Sequence, residues 1–281
     1  MSTDEYGTRD SALRALRAKM SEIEAKSEGL EDAAAAARHR IREAGSDPDP
    51  AARWTGANYP GMPEGDDWLD VLPPRYQDGV RGFELRLARE LAAVGVRCYT
   101  LQDLRKYPRT DRQAIPVFVD WLTNLDAKIP GPETLHRDGI RTLLLRNLTD
   151  SAVQGDSSAI AAVIAQLRRQ PPLNGGTQWT AGIALVQIAR PDDYSEILEL
   201  FGQLTADEAR AALLSYLGRS KSREAIQIAI DELANPGTRQ WAIQALILAE
   251  ADGTRPLIAR YANDENEQVR RWVKTAMKQL E

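Results

Sequence analysis

A spacing of 31 residues that recurs through the second half of the chain constrains the fold more than any other feature. Trp179, Arg210, Trp241 and Trp272 follow one another at this interval. A second set of residues falls on the same grid: Ile183, Leu214, Ala245 and Ala276. Repeats of this length are typical of arrays of small helical units. A unit of two short helices cannot bury its apolar face alone, so the units must stack on one another.

Each interval contains two short amphipathic segments, and the period-two alternation of β-strands is missing. The first segments span 177–189, 206–218, 238–250 and 266–280, and the second segments span 192–202, 222–234 and 254–262. Upstream, four further segments continue the helical pattern with looser spacing: 83–96, 112–125, 133–148 and 157–170. We therefore expect an all-α fold in which residues 79–281 form a right-handed α-solenoid of helical pairs.

The last two units resemble HEAT repeats. The segment PLIARYANDENEQVRRWVKTAMKQL at 256–280 has a proline at its start and Asp264 and Asn266 in its turn. The segment LANPGTRQWAIQAL at 233–246 has a similar sequence pattern, in which Arg239 corresponds to Arg270. The short period is similar to that of the bacterial HEAT-like repeats known from phycobilisome lyases. The resemblance implies a bacterial HEAT-like solenoid with an extended concave surface for a macromolecular partner.

The N-terminal segment has a different period. Apolar positions alternate at steps of three and four residues, and the strongest of them are Leu13, Leu16, Met20, Ile23, Leu30 and Ile41. This seam predicts a coiled-coil helix over 1–44. In a parallel homodimer through residues 10–43, Lys19 would face Glu24 of the other chain and Lys26 would face Glu31. Two alternatives stay open: capture of a partner's helix, or packing of this helix on the solenoid of its own chain.

Residues 45–78 form a linker rich in proline and glycine that interrupts the helical pattern. The linker is unusually aromatic for a flexible segment, and it contains Trp54, Tyr59, Trp68 and Tyr76. The sequence PPRY at 73–76 matches the motif of WW-domain ligands, which would make the linker a docking peptide. We expect instead that the aromatic side chains pack over the first helices of the solenoid.

The reactive side chains do not form a recognisable catalytic or metal-binding set. The single cysteine, Cys98, has no histidine near it in sequence and is expected to be a small buried residue. His136 lies near a helix start and is expected on the surface, and Asp192 is expected to cap a helix. The glycine-rich phosphate loops of nucleotide-binding folds are missing. The sequence therefore predicts no catalytic residue, no cofactor and no metal.

Two groups of residues are candidates for contact with a partner. The recurring tryptophans Trp179, Trp241 and Trp272 could form a recognition stripe or pack between successive helices, and we favour packing. Several arginines could line a groove: Arg137, Arg141, Arg210, Arg239, Arg270 and Arg271. Residues 111–281 nevertheless contain 22 acidic and 19 basic residues, a net charge of −3. Because phosphate neutralisation dominates nucleic-acid affinity, this balance argues against a general nucleic-acid-binding solenoid.

These patterns favour a non-enzymatic scaffold or adaptor that binds another protein through its solenoid and self-associates or recruits through its coiled coil. The alternatives that the HEAT resemblance leaves open are a DNA-binding or glycosylase-like DNA-repair protein and a lyase-like cofactor chaperone. The N-terminus MSTDEYGTRD lacks the features of a secretory signal, and no apolar run approaches the roughly 18 residues that span a bilayer. We therefore expect a cytoplasmic protein without membrane contact.

The coiled-coil interpretation predicts the assembly state. A variant lacking residues 1–44 is expected to sediment as a folded monomer, whereas the full-length chain sediments as a larger species, because the seam holds two chains together. Sedimentation velocity of both proteins measures the difference. A full-length chain that stays monomeric at tens of micromolar would assign the helix to its own solenoid or to another protein.

Overall fold

The computed structural model describes residues 65, 67–70, 83–106 and 110–280. The chain divides into two units, Met1–Thr55 and Gly56–Glu281, and every described residue belongs to the second. The predicted coiled coil and its seam from Leu13 to Ile41 lie outside the described residues, as does most of the predicted linker.

The described residues confirm an all-α fold: they form α-helices and two short 3-10 helices, and they contain no strand. The α-helices are α1 (Phe83–Ala93), α2 (Leu101–Leu104), α3 (Ile115–Thr123), α4 (Leu125–Lys128), α5 (Leu135–Leu148), α6 (Ser157–Leu167), α7 (Gly175–Ile188), α8 (Tyr194–Gln203), α9 (Asp207–Arg219), α10 (Arg223–Glu232), α11 (Arg239–Leu248), α12 (Arg255–Ala259) and α13 (Glu267–Gln279). The 3-10 helices are Ser151–Val153 and Pro191–Asp193. None of these helices is both long and apolar enough to cross a membrane.

Short polar side chains determine where many of the helices begin. Five residues accept a hydrogen bond from a backbone N–H two or three residues later, at 2.9–3.2 Å: Thr134, Asp156, Asn174, Ser222 and Asn266. Each bond satisfies one of the backbone donors that a helix start leaves without an intrahelical partner. The helices therefore start close to the predicted positions.

Two sets of helices alternate along the chain. The first set, here called the primary helices, consists of α3, α5, α7, α9, α11 and α13, and each member packs against the next. The second set, the intervening helices, consists of α6, α8, α10 and α12, and each member packs against the primary helix that follows it. The primary helices therefore carry the contacts that join one unit to the next.

Buried side chains recur every three or four residues along the primary helices. In α7, Ala181, Ala184, Leu185 and Ile188 are almost completely inaccessible to solvent. Equivalent faces of the other primary helices join this core, which is continuous from α1 to α13. One contiguous core of this kind is what stacking of small helical units requires.

Small residues bring α7, α9 and α11 unusually close together. A Cβ atom added to Gly182 in α7 would lie 2.5 Å from the Cβ of Ala212 in α9. A Cβ atom added to Gly218 in α9 would lie 2.6 Å from the carbonyl oxygen and 2.7 Å from the Cα of Ala245 in α11. These two glycines set the distance between consecutive primary helices.

Trp68 supports the expected packing of the linker aromatics for one of the four residues. Its side chain is buried next to Ala88 of α1 and meets the ring of Tyr99 edge-on, with ring centroids 6.1 Å apart. Arg97 reinforces this contact by donating a hydrogen bond to the Gly65 carbonyl at 2.9 Å. Trp54, Tyr59 and Tyr76, together with the rest of the PPRY motif, lie outside the described residues.

The close contact at Gly218 makes a substitution there costly. Gly218→Ala is expected to lower the free energy of unfolding by about 1–3 kcal/mol, because the new methyl group meets backbone atoms that cannot rotate away. Gly139→Ala is the matched control: this position in α5 has no atom within 4 Å of the added Cβ. There the substitution should stabilise by up to about 1 kcal/mol through helix propensity. Denaturant unfolding of both variants tests the assignment, which fails if the two substitutions have the same sign.

Candidate functional site

A side chain in the first part of each primary helix from α5 to α13 donates a hydrogen bond back to the turn before that helix. The acceptor is always a backbone carbonyl five or six residues earlier. The donors and acceptors are Arg137 and Gly131, Gln178 and Leu173, Arg210 and Leu204, Arg239 and Leu233, and Arg270 and Asp264. Carbonyls at such turns have no partner inside a helix, so these donors satisfy them. We call these five side chains the turn clamps.

The turn clamps correct the predicted repeat register. Their spacings along the chain are 41, 32, 29 and 31 residues rather than a uniform 31. The 31-residue interval aligned Arg210 with the tryptophans, as if it replaced a tryptophan in the middle unit, and this alignment is wrong. Arg210 corresponds to Arg239 and Arg270, and the position equivalent to Trp241 in α9 is held by Ala212.

Two of the turn clamps also form partly buried ion pairs with carboxylates at or beyond the end of the following intervening helix. Arg210 pairs with Glu232, which is itself buried and accepts a hydrogen bond from Thr238 at 2.6 Å. Arg239 pairs with Asp264 at 2.5 Å. Arg210 thus connects α9 to the end of α10, Arg239 connects α11 to the turn between α12 and α13, and the charge of each is compensated within the protein.

Arg141 and Arg137 belong to a second ion network, at the start of α5. Arg141 has no exposed surface, makes two hydrogen bonds to the Glu133 carboxylate at 2.6 and 3.1 Å, and donates to Gln166 at 3.1 Å. Gln166 in turn donates to the Leu122 carbonyl of α3 at 3.1 Å. This chain of hydrogen bonds joins α5, α6 and α3. The guanidinium of Arg141 is consequently not accessible to a partner, contrary to its selection as a groove residue.

Asp126 connects the remaining members of this network. It accepts hydrogen bonds from Arg137 at 2.5 Å and from Arg169 at 3.0 Å. Partial burial alone would raise the pKa of Asp126, but the hydrogen bond and charge of Arg169 and the charge of Arg137 outweigh it, so the pKa lies below its usual value. Because the folded-state pKa is lowered, the stabilising contribution is present at neutral pH and is lost as the pH falls.

Of the six arginines selected from the sequence, Arg271 differs from the others. Its side chain is 63% exposed and pairs with the equally exposed Glu267 at 2.6 Å, one helical turn away. Arg270, its neighbour, donates to two backbone carbonyls and serves as a turn clamp. Arg271 is the member of this set whose position suits contact with a partner.

The recurring tryptophans are half-buried. This burial lies between that of an exposed recognition stripe and that of a side chain packed fully between helices. Trp241 and Trp272 pack against the core, and the rings of Trp179 and Trp241 lie against each other with centroids 4.9 Å apart at 48°. Trp179 belongs to α7 and Trp241 to α11, so this contact spans α9. Ala211 and Ala212 of α9 are both buried there, and their small size leaves room for the two rings to meet.

The tryptophan pair is part of an accessible apolar surface, here called the tryptophan face. It consists of Trp179 and Ile183 on α7 and of Trp241, Gln244 and Leu248 on α11. The spacings of three and four residues place these side chains on one side of each helix. Leu248 is 43% exposed, which is unusual among the large apolar side chains of the described residues. The segment of α7 contains no charged residue, and that of α11 contains only Arg239.

Two clefts complete the accessible features. The first, of about 740 Å³, contains Asp126, Glu133 and Arg137 of the ion network, and its rim carries Leu135, which is 93% exposed. The second, of about 580 Å³, is here called the tyrosine cleft. Its walls are Gln154, Ala189, Pro191, Tyr194, Tyr216, Arg219, Ser220 and Ser222.

The other residues considered for chemistry have structural surroundings. Cys98 is buried, as expected, and burial followed by the charge of Asp103 raises its pKa to about 12, which keeps the thiol protonated. His136 is not the predicted surface residue: only 16% of its side chain is exposed, and Nδ1 lies 3.8 Å from Glu84. The capping carboxylate near α8 is Asp193 rather than Asp192, and it accepts from the Arg190 N–H at 2.7 Å.

Removing the buried guanidinium should be far more costly than removing the exposed one. Arg141→Gln is expected to lower the free energy of unfolding by about 1–3 kcal/mol, because the buried Gln166 side chain loses its hydrogen-bond donor and Glu133 loses its counter-charge. Arg271→Gln should change it by no more than about 0.5 kcal/mol, as for other exposed pairs. Denaturant melts of the two variants measure the difference, and equal effects would contradict the assignment of Arg141 to the interior.

Comparison with known proteins gives no relative from which a function can be transferred. The chain matches no protein family, no curated protein and no solved structure. Its function is therefore argued from the contacts, charges and exposed surfaces of its own residues.

Proposed function

We propose that this protein is a non-enzymatic scaffold that binds another protein through a HEAT-like, right-handed α-solenoid. The serial packing of the primary helices supports the solenoid, because each unit contacts its neighbours in order. The turn clamps support it further, since the same hydrogen bond recurs at the same place in successive units. The N-terminal helix over 1–44 is proposed to add self-association or recruitment.

The observation that carries the proposal is the tryptophan face. Tryptophan is enriched among the residues that dominate binding energy at protein interfaces. Here two tryptophan rings already pack against each other in the absence of a partner. Little of their conformational freedom therefore remains to be lost when a partner binds. The scarcity of charged residues on α7 and α11, and the acidic Asp207 and Glu208 at the start of α9 between them, favour a partner that offers apolar side chains rather than phosphates.

A glycosylase-like function has weaker support. Such an enzyme needs a catalytic carboxylate among aromatic residues in a basic groove. In the described residues, Glu90 accepts a hydrogen bond from the Trp121 indole at 2.5 Å, but Lys128 lies 3.1 Å from the same carboxylate. Lys128 and Arg86 also lie over the Trp121 ring, at 4.8 and 5.3 Å from its centroid. This cluster joins α1 to α3 and α4, so we assign it a structural role.

Photocrosslinking in the source cell tests the proposal. A photoreactive amino acid at Gln244, one turn after Trp241 on the tryptophan face, is expected to give a discrete adduct with another protein. The same amino acid at the exposed Gln227 of α10 is the matched control and should give none. Trp179→Ala should abolish the Gln244 adduct while lowering the free energy of unfolding by about 1–2 kcal/mol, the value of one aromatic pair together with the partial burial of the ring.

The outcome separates binding from stability. An adduct that survives Trp179→Ala, or equal adducts from both positions, would remove the tryptophan face from the proposal. A loss of more than about 3 kcal/mol in the Trp179→Ala variant would show that the ring belongs to the core instead, because fully buried tryptophans cost that much when truncated.

A further inference from the structure

The tyrosine cleft has the properties of a ligand site that is separate from the tryptophan face. Its volume of about 580 Å³ is within the usual range for small-molecule pockets. Two tyrosine rings, Pro191 and Ala189 give it a mainly apolar wall, and a few polar groups interrupt that wall. Such a combination of apolar surface with few polar groups is typical of binding sites for small organic molecules.

Most of the polar groups in the cleft already have partners inside the protein. The Tyr194 hydroxyl and the Ser222 hydroxyl are hydrogen-bonded to each other at 2.6 Å. The Tyr216 hydroxyl donates to the Arg190 carbonyl at 2.5 Å. Burial and then the charge of Asp193 raise the pKa of Tyr216 to about 12, so its ring stays neutral at physiological pH. The hydroxyls are therefore already occupied, and a ligand would meet the partly exposed ring of Tyr194 and the small accessible part of Tyr216, which is 7% exposed.

Arg219 is the exception. Its guanidinium is anchored by a hydrogen bond to the Val186 carbonyl at 2.8 Å, and its Cζ lies 5.7 Å from the centroid of the Tyr216 ring. Among the described residues no carboxylate lies within 4.0 Å of it, in contrast to the paired Arg141, Arg210 and Arg239. A guanidinium has five N–H donors, and this one uses a single donor towards a described protein acceptor. An exposed guanidinium with one anchoring hydrogen bond and no directly paired carboxylate among the described residues is suited to a carboxylate ligand.

We propose that the tyrosine cleft binds a small planar aromatic carboxylate, with its ring against Tyr194 and Tyr216 and its carboxylate on Arg219. The apolar walls select the ring, and the uncompensated charge of Arg219 selects the anion. The site is independent of partner binding, because Arg219 lies eight residues beyond Ala211 in α9, which is about 12 Å along the helix axis.

Calorimetric titration of the full-length chain with two probes tests the site. The probes are 2-naphthoate and its uncharged analogue 2-naphthamide, which share the ring and differ in charge. Wild-type protein is expected to bind the naphthoate about tenfold more tightly, the effect of one charge-assisted contact. Arg219→Gln should abolish this preference by weakening naphthoate binding alone. Arg223→Gln, an exposed arginine that does not line the cleft, is the matched control and should keep it.

A second variant covers the case in which Arg219→Gln fails to fold. Ser220→Glu places a negative charge at the edge of the cleft and should weaken naphthoate binding while leaving naphthamide binding unchanged. Trp179→Ala should bind both probes like the wild type, so failure of the scaffold proposal would not be mistaken for failure of this one. Absence of naphthoate binding to wild type, or a preference that persists in the folded Arg219→Gln protein, would overturn the proposal.

Discussion

The hydrogen bond from each turn clamp to the carbonyl before its helix is the interaction on which the arrangement of units depends. A carbonyl left without a partner at a buried turn would cost about 1–3 kcal/mol, so the donor side chain is strongly favoured at that place. Because the donor sits near the start of the helix, the bond also fixes how the helix leaves the turn. The same bond in successive units therefore gives successive primary helices the same relation to the turn before them.

Several arginines that the sequence suggested for partner contact form ion pairs within the protein instead. Arg210 and Arg239 each combine a turn clamp with an ion pair to a mostly buried carboxylate, so their charges are largely compensated inside the protein. The network around Arg141 does the same at the start of α5. Other described arginines, such as Arg223 and Arg271, remain exposed, so the internal role applies to the turn clamps and the Arg141 network and not to arginine in general. The two surfaces that we propose for binding, the tryptophan face and the tyrosine cleft, are mainly apolar, and the cleft carries the single charge of Arg219.

Local patterns predicted the helices well, because capping side chains and apolar spacing act over a few residues. The predicted 206–218 and 266–280 differ by one residue at each end from α9 and α13. The predicted repeat register was wrong at Arg210. The segments on either side of it differ in length by a few residues, so residues 31 positions apart do not occupy equivalent positions in their helices. The burial of Arg141 also escaped prediction. Its partner Gln166 is 25 residues away, and the sequence does not reveal which polar groups the turns bring together.

The alanines of α9 explain why the predicted tryptophan stripe becomes a tryptophan pair. Ala212 is buried close to Gly182 of α7, so a third tryptophan at this position of α9 would push apart the helices that bring Trp179 and Trp241 together. The close approach at Gly182 and Gly218 shortens the distance that the two rings must span. Small residues in the middle unit thus allow two aromatic side chains from alternate units to form one surface. A partner that recognises this surface would contact units that are not adjacent, and its binding would depend on their relative position.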